Sequence, residues 1–257
     1  DSPDLIDNVC GWIDKFGLAV HSVHGPSGFP GESPTYQYSG FHDWIANPIT
    51  EERRHAVLNR KKYINIAALL GAKYFIIENE CYGQWPFWPH HCTSEIEYPE
   101  SGKFWEQSVD ELVDDCLANG MTAAIENIDG LSNAPIVEFI ESRGSGMVGI
   151  CFDSSHATYG DFLENMHCLL LYTITTHISD NDGLLGNQWI DRHWMPFRGN
   201  IDWDQFLAQL VENSYTGAFI LEMNPMCDFT SAAMKTCLLQ FDTYISQHMN
   251  SPDQKSV

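Results

Sequence analysis

Short apolar runs alternate with amphipathic stretches along the chain, and four successive runs end in an acidic residue or a histidine. The residues that close these runs are Glu126, Asp153, His177 and Glu222. A carboxylate rarely closes a buried parallel strand, because burying an unpaired charge costs free energy. The alternation predicts an α/β fold with a parallel sheet, in which the strand ends meet at one edge. Four such residues at that edge indicate ligands around one divalent cation.

The number of strand-like runs indicates which α/β architecture to expect. Six runs occur, at residues 18–24, 73–78, 121–126, 147–153, 172–177 and 218–222. Polar residues at the carboxyl ends of parallel strands are typical of a (β/α)8 TIM barrel, which has eight strands. Because the chain opens on a helix, we expect the first two βα units of the barrel to be missing here. We predict one domain over residues 1–250 and a polar tail at 251–257.

The charge of the chain excludes several classes of partner. Thirteen basic residues against thirty-five acidic ones give a formal net charge of −22. This field repels nucleic acid and anionic membranes, whose binding needs clustered Lys and Arg. One basic run lies on a predicted helix, and we interpret it as a solvated face; it comprises Arg53, Arg54, Arg60, Lys61 and Lys62.

The cysteines give a prediction about the compartment. None of the eight forms a CxxC pair, and several, such as Cys151, lie inside apolar runs. Zinc-knuckle and thioredoxin-like chemistry are therefore disfavoured, and reduced thiols in a cytoplasmic protein are the simplest interpretation. The sequence has no apolar stretch of 18 residues, so no membrane partner is predicted.

An ordered series of motifs resembles the xylose isomerase-like TIM-barrel superfamily, which includes sugar-phosphate isomerases and epimerases and the family 2 AP endonucleases. The motifs are Ala-Ile-Glu126-Asn, Cys-Phe-Asp153-Ser-Ser-His156, Thr-His177-Ile-Ser-Asp-Asn181, Asp191-Arg-His193, Gly199-Asn-Ile-Asp-Trp203 and Leu-Glu222. Each motif is weak alone, but all six in order are specific. By this resemblance, the visible strands are the third to eighth of the barrel.

The resemblance implies one of two metal sites. Sugar isomerases and epimerases hold one Mn²⁺, Mg²⁺ or Co²⁺ on the equivalents of the four strand-end residues. The abasic-site endonucleases hold three zinc ions and need further histidines at the strand ends that correspond here to His24 and Glu78. His24 fits this pattern and Glu78 departs from it, whereas Asp191 and His193 match it.

The four strand-end residues predict the chemistry of the site. Three carboxylates and an imidazole form an oxygen-rich ligand set, for which we rank Mn²⁺ first, with Mg²⁺, Co²⁺ or Zn²⁺ as alternatives. Such an ion polarises a sugar carbonyl and acidifies the neighbouring C–H. Glu126 and Glu222 are the predicted catalytic acid and base, which move the proton through an enediolate and also bind the metal.

Other residues are predicted to bind the substrate. His156 follows Asp153 closely enough to bind a substrate hydroxyl. Asp191 and His193 suit a second metal, a phosphate or a sugar hydroxyl, and a plain salt-bridged loop is an open alternative for them. Arg198 suits an anionic group, since arginine binds carboxylate and phosphate bidentately. Three more candidates are His24, Glu78 and Trp88. The aromatic loop around Trp88 fits a sugar-stacking face and a subunit interface equally well, so a homo-oligomer is left open.

Together these features predict a metal-dependent isomerase or epimerase of a small sugar, sugar acid or cyclitol. A dehydratase of a keto-cyclitol starts from the same proton abstraction and stays open. Two alternatives from other classes are a zinc-dependent abasic-site phosphodiesterase and a non-catalytic barrel fragment. The net charge of −22 weighs against the phosphodiesterase. The barrel fragment is suggested by the predicted loss of two strands.

Overall fold

The computed structural model describes residues 3–27, 43–80, 100–128, 132–144, 146–185, 188–224 and 230–249. The chain divides into two compact units, Asp1–Gly149 and Ile150–Val257. Within the described ranges, no helix is long and apolar enough to span a membrane.

The first unit alternates helices with parallel strands. Its elements are α1 (Pro3–Phe16), β1 (Ser22–His24), α2 (Thr50–Leu69), β2 (Tyr74–Glu78), α3 (Ser101–Ala118), β3 (Thr122–Glu126) and α4 (Ala134–Arg143). β2 pairs in parallel with β1 and with β3. The register sets Glu78 opposite Glu126, so both carboxylates lie at the carboxyl edge of the sheet. Phe75, Ile76 and Ile77 of β2 are buried, which is typical of a parallel strand covered on both faces.

One residue of the predicted solvated basic run is buried, which corrects that interpretation. The side chain of Arg60 is 1% exposed and forms an ion pair with Glu80, which is fully buried. Arg60 Nη1 also donates to the carbonyl of Asp43 at 2.6 Å and to that of Ala56 at 3.2 Å. The second carboxylate oxygen of Glu80 accepts from the backbone N–H of Ile45 at 2.9 Å. A buried pair of this kind persists because its remaining donors and acceptors are satisfied.

The second unit continues the alternation. Its elements are β4 (Val148–Asp153, which belongs to this unit from Ile150 onward), α5 (Phe162–Leu169), β5 (Thr173–Ile178), β6 (Leu184–Leu185), β7 (Gln188–Trp189), α6 (Trp203–Glu212), β8 (Phe219–Leu221) and α7 (Ser231–Met249). β5 pairs in parallel with β4 and with β8. The short strands β6 and β7 form an antiparallel pair. Side chains cap two helices: Asp161 accepts from the N–H of Glu164, and Asp202 accepts from that of Gln205.

The sequence-based prediction of alternating helices and parallel strands is confirmed. Each of the six predicted strands is present, three in each unit, and most begin or end within two residues of the prediction. The first is an exception, since β1 covers Ser22–His24 rather than 18–24. The prediction of one domain over residues 1–250 stays a prediction, and the predicted tail at 251–257 lies outside the described residues.

Candidate functional site

Three of the four predicted strand-end residues belong to the second unit, where parallel pairing brings them to one edge. Asp153 and His177 are register partners at the ends of β4 and β5. Glu222 follows β8 directly, and its backbone N–H donates to the carbonyl of Ile178 at 3.1 Å. Asp153 is fully buried and His177 is 5% exposed. The fold therefore holds these polar side chains where only an apolar or a compensated group is tolerated.

The spacing of their donor atoms fits one metal ion. Asp153, His177 and Glu222 each offer one ligand atom, and these atoms lie within 4.8 Å of one another. His177 Nδ1 lies 2.6 Å from Glu222 Oε2. Metal–ligand bonds to nitrogen and oxygen are about 2.0–2.2 Å, so an ion among these atoms reaches all three with small side-chain movements. Two carboxylates and one imidazole suit Mn²⁺, Mg²⁺, Co²⁺ or Zn²⁺.

A second cluster in the same unit is formed by His156, Asp191 and His193. His193 Nε2 donates to Asp191 Oδ2 at 2.8 Å, and His156 Nε2 lies 3.4 Å from the same oxygen. The two histidine rings meet edge to face, with centroids 5.2 Å apart. His156 Nδ1 is 3.8 Å from Asp153 Oδ1, which also accepts from the His156 N–H at 2.8 Å. The cluster thus adjoins the first set through Asp153.

The electrostatics of this cluster favour charged side chains. Burial alone lowers the pKa of His193, but the hydrogen bond to Asp191 and the charges of Asp153 and Asp191 raise it to about 9. Burial likewise acts to raise the pKa of Asp191, and the hydrogen bonds from His156 and His193 outweigh this and hold it well below its usual range. Asp191 and His193 therefore form an ion pair at neutral pH.

We predict that Asp191→Asn lowers the pKa of His193 from about 9 toward its ordinary value of 6.5, because the anionic acceptor is lost. The folded-state pKa is raised, so the pairing stabilises the fold fully below about pH 6.5. This stabilisation is lost as the pH rises through about 9. The wild-type advantage in free energy of unfolding should therefore be larger at pH 6 than at pH 10. NMR titration of the His193 ring measures its pKa, and urea unfolding of metal-free protein at each pH measures the free energy of unfolding.

A matched control for this prediction is Asp182→Asn. Asp182 is a neighbouring carboxylate that pairs with Arg192 Nε at 2.9 Å and does not contact His193 in the described structure. The control should leave the pKa of His193 near the wild-type value. An unchanged His193 titration in Asp191→Asn would contradict the assignment of the pair.

Glu126, the remaining predicted ligand, lies in the first unit at the end of β3 and is 1% exposed. His24 Nε2 lies 3.1 Å from Glu126 Oε2 and 3.6 Å from Glu78 Oε1. Burial lowers the pKa of His24, but the hydrogen bond to Glu126 and the charges of both glutamates raise it to about 9. The three strand-end residues of this unit are thus brought together, with His24 as a cation between two carboxylates.

Two predicted substrate-binding residues are less well supported. Arg198 is exposed, and its backbone N–H donates to Asp180 Oδ2 at 3.0 Å. Binding of an anionic group by its side chain stays a prediction. Trp88 and the aromatic loop around it lie outside the described residues.

Sequence reasoning missed several polar residues that hold this site together. Ser155 Oγ donates to Asp191 Oδ1 at 3.0 Å and accepts from Asn181 Nδ2 at 2.9 Å. Ser179 Oγ lies 3.3 Å from His193 Nδ1, which also contacts the carbonyl of Glu222 at 3.1 Å. These residues lie within the motifs that follow β4 and β5, and that position was the available signal.

The sequence matches a known family over most of its length. Residues 1–236 match the profile of the family described as xylose isomerase-like TIM barrel. A curated relative, the uncharacterized protein y4fM of Sinorhizobium fredii, is 26% identical over 227 residues. The alignment covers 79% of this chain and 66% of the relative, so the chain spans just under two thirds of the relative's length.

Solved structures share the fold at low sequence identity. A D-tagatose 3-epimerase-like protein has a TM-score of 0.70 and 21% identity, with 96% of this chain and 84% of that chain covered. The 3-keto-D-glucoside 4-epimerase YcjR of E. coli has a TM-score of 0.69 and 18% identity, with 93% of this chain and 85% of that chain covered. The IOLI protein with a bound zinc atom has a TM-score of 0.69 and 15% identity, with 96% of this chain and 83% of that chain covered. With the family match, these similarities confirm the predicted TIM-barrel fold class.

Proposed function

Because the chain belongs to the xylose isomerase-like TIM-barrel family, we propose that it is a divalent-metal-dependent epimerase or isomerase of a small keto sugar. One observation carries the proposal: Asp153, His177 and Glu222 bring three ligand atoms within 4.8 Å of one another at the ends of parallel strands. Mn²⁺ is our first choice of metal because two carboxylates and one imidazole form a hard ligand set. The cytoplasmic location also stays a prediction.

Glu126 is proposed as the fourth ligand from the order of the sequence. It closes the strand that precedes β4. Similarly, Asp153 closes β4, His177 is the last residue but one of β5, and Glu222 follows β8. When bound, the divalent ion would hold two adjacent oxygens of the sugar and make the C–H beside the carbonyl more acidic. His24 supports this assignment, since its hydrogen bond to Glu126 fixes the orientation of that carboxylate.

The two glutamates are proposed to move the proton. The side chain of Glu222 is 38% exposed, so a substrate reaches it readily, and we assign it as the base that removes the proton. The electron pair of the broken C–H bond forms the enediolate. Glu126 takes a proton from the adjacent His24 imidazolium and passes it to the opposite face, which gives the epimer, or to the neighbouring carbon, which gives the isomer; the proton held by Glu222 then returns through solvent to His24. The reaction consumes no oxidant, reductant or water.

The substrate class follows from the reaction and from the similar structures. Proton transfer of this kind needs a carbonyl next to the reacting carbon, and two of the structures that share the fold carry names of keto-sugar epimerases. The His156–Asp191–His193 cluster offers imidazole N–H groups and a carboxylate oxygen, which suit sugar hydroxyls.

The experiment that tests the proposal is deuterium exchange. Protein reconstituted with Mn²⁺ is incubated in D₂O with D-tagatose, other ketohexoses and a 3-keto-glucoside, and proton NMR follows the C–H beside the carbonyl. We expect exchange and a new epimer with one of these sugars, and neither after removal of the metal with a chelator. No exchange with any sugar, together with cleavage of abasic DNA, would overturn the proposal.

A second candidate function is a zinc-dependent phosphodiesterase of the abasic-site endonuclease type. One observation favours it: the ligand atoms of Asp153, His156 and His193 also lie within 4.8 Å of one another. This spacing suits a second metal ion. The net charge of −22 opposes binding of DNA, and the resemblance implies a histidine where this chain has Glu78. We therefore rank it below the epimerase.

A further inference from the structure

A buried carboxylate just beyond β5 has no role in the proposed chemistry. Asp180 is fully buried, and its side chain accepts four hydrogen bonds. Oδ1 accepts from the N–H groups of Asn181 at 2.9 Å and Ile201 at 3.3 Å. Oδ2 accepts from the N–H of Arg198 at 3.0 Å and from Trp203 Nε1 at 2.9 Å. Three of the donors belong to residues 198–203, so one carboxylate fixes the path of that stretch.

The backbone of Asp180 fixes a second point of the same segment, which we call the 191–203 segment. The N–H and carbonyl of Asp180 pair with the carbonyl and N–H of Trp194 at 2.8 and 2.9 Å. Trp194 directly follows His193, whose φ of 45° is unusual for a residue other than glycine. Such a conformation persists where the surroundings enforce it, and the pairing at Trp194 is one such constraint.

The far end of the segment fits tightly around the carboxylate. A Cβ on Gly199 would lie 2.3 Å from Asp180 Oδ1 and 2.3 Å from the carbonyl oxygen of Asn181, so no larger residue fits there. Phe197, at a φ of 69°, has its ring 5.2 Å from that of Trp203 and 5.0 Å from that of Phe241. The segment is therefore a packed, hydrogen-bonded element.

The 191–203 segment carries Asp191 and His193 to the site. His193 Nε2 donates to Asp191 at 2.8 Å, and His193 Nδ1 lies 3.1 Å from the carbonyl oxygen of Glu222. We propose that Asp180 is a positioning residue that fixes the 191–203 segment and thereby holds His193 and Asp191 against the site. The consequence for turnover rests on the proposed function, whereas the consequence for the geometry of His193 does not.

The test compares Asp180→Asn with a matched control. The amide keeps the shape of the carboxylate, but its NH₂ group donates hydrogen bonds and cannot accept them. Two of the four hydrogen bonds are therefore lost, and the NH₂ group is placed against two N–H donors. Asp202→Asn makes the same change at a helix cap whose side chain accepts only from the N–H of Gln205 among the described contacts. Trp203→Phe removes one donor and keeps an aromatic ring, so it replaces Asp180→Asn if that variant does not fold.

The readouts separate positioning from general stability. Ring ¹⁵N NMR reports the environment of His193, elemental analysis reports the metal, and deuterium exchange of the sugar reports kcat and KM. We expect shifted His193 signals and a kcat about 10- to 100-fold lower in Asp180→Asn at unchanged metal content, since supporting partners typically contribute that much. Trp203→Phe should give smaller changes in the same direction, and Asp202→Asn none.

Unchanged His193 signals in folded Asp180→Asn would overturn the inference, as would equal changes in Asp202→Asn. If wild-type protein binds no metal and exchanges no sugar proton, the proposed function fails. The His193 signals still decide the positioning role in that case.

Discussion

Replacing Glu222 by Gln is expected to lower kcat for proton exchange by about 10²- to 10⁴-fold, the usual contribution of a positioned acid or base. The amide keeps an oxygen for a ligand bond but cannot take up the proton. KM for the sugar should change much less than kcat, because His156, Asp191 and His193, which we propose to bind the substrate, are intact. Reactions in D₂O at saturating metal, quenched at set times and analysed by proton NMR, measure kcat and KM.

The matched control for Glu222→Gln is Glu212→Gln. Glu212 closes α6 and its carboxylate forms an exposed hydrogen bond with Gln209, so the same loss of charge occurs away from the site. This variant should keep wild-type kcat. A Glu222→Gln protein with wild-type kcat would remove Glu222 from the mechanism and leave the base unassigned.

Replacing Glu80 by Ala is expected to destabilise the first unit by about 3–5 kcal/mol, the usual effect of removing one partner from a buried ion pair. Arg60 would remain 1% exposed with its charge uncompensated. The backbone N–H of Ile45, which donates to Glu80 Oε2, would lose its acceptor as well. Urea unfolding followed by circular dichroism gives the midpoint and the slope for each variant.

The control for this prediction is Glu111→Ala, which removes the acidic partner of Lys61, the residue after Arg60 on α2. Lys61 pairs with Glu111 at 2.8 Å, and the side chain of Glu111 is 58% exposed. Glu111→Ala should cost about 0–1 kcal/mol, because solvent screens exposed pairs. Equal losses in Glu80→Ala and Glu111→Ala would mean that the buried pair contributes no more than a surface pair.

Hydrophobic patterning predicted the positions of the elements well. β4 is apolar until its last residue, and so is β3 after Thr122, so the carboxylates of Glu126 and Asp153 marked both the strand end and the candidate site. This works because parallel strands are buried on both faces and a charge stands out against them. The shorter β1 shows the weakness of the method, since its polar residues carry little of this pattern.

The buried polar network was not predictable in the same way. Arg60 reads as one of five basic residues on a helix, and only its packing against Glu80 distinguishes it from Lys61. Asp180 follows a strand by two residues, where an aspartate is equally typical of a turn. Its role depends on donors from residues 198–203, some twenty positions away. Long-range hydrogen bonds of this kind leave no local sequence signal.

Glu80 is an instructive intermediate case. The physical argument that singled out Glu126 also applies to a carboxylate just after β2, because burial of an unpaired charge is costly there too. A search for its compensating cation would have led to the basic run on α2. The structure identifies that cation as Arg60.

One divalent ion is proposed to bind at the strand ends, and the metal content of the purified protein tests this binding. Elemental analysis of purified wild-type protein after dialysis against Mn²⁺ should give about one ion per chain. Asp153→Ala should lose it, because Asp153 supplies one of the three ligand atoms that lie within 4.8 Å of one another. Absence of bound metal in the wild type, or three zinc ions per chain, would rule out a single divalent ion at this site.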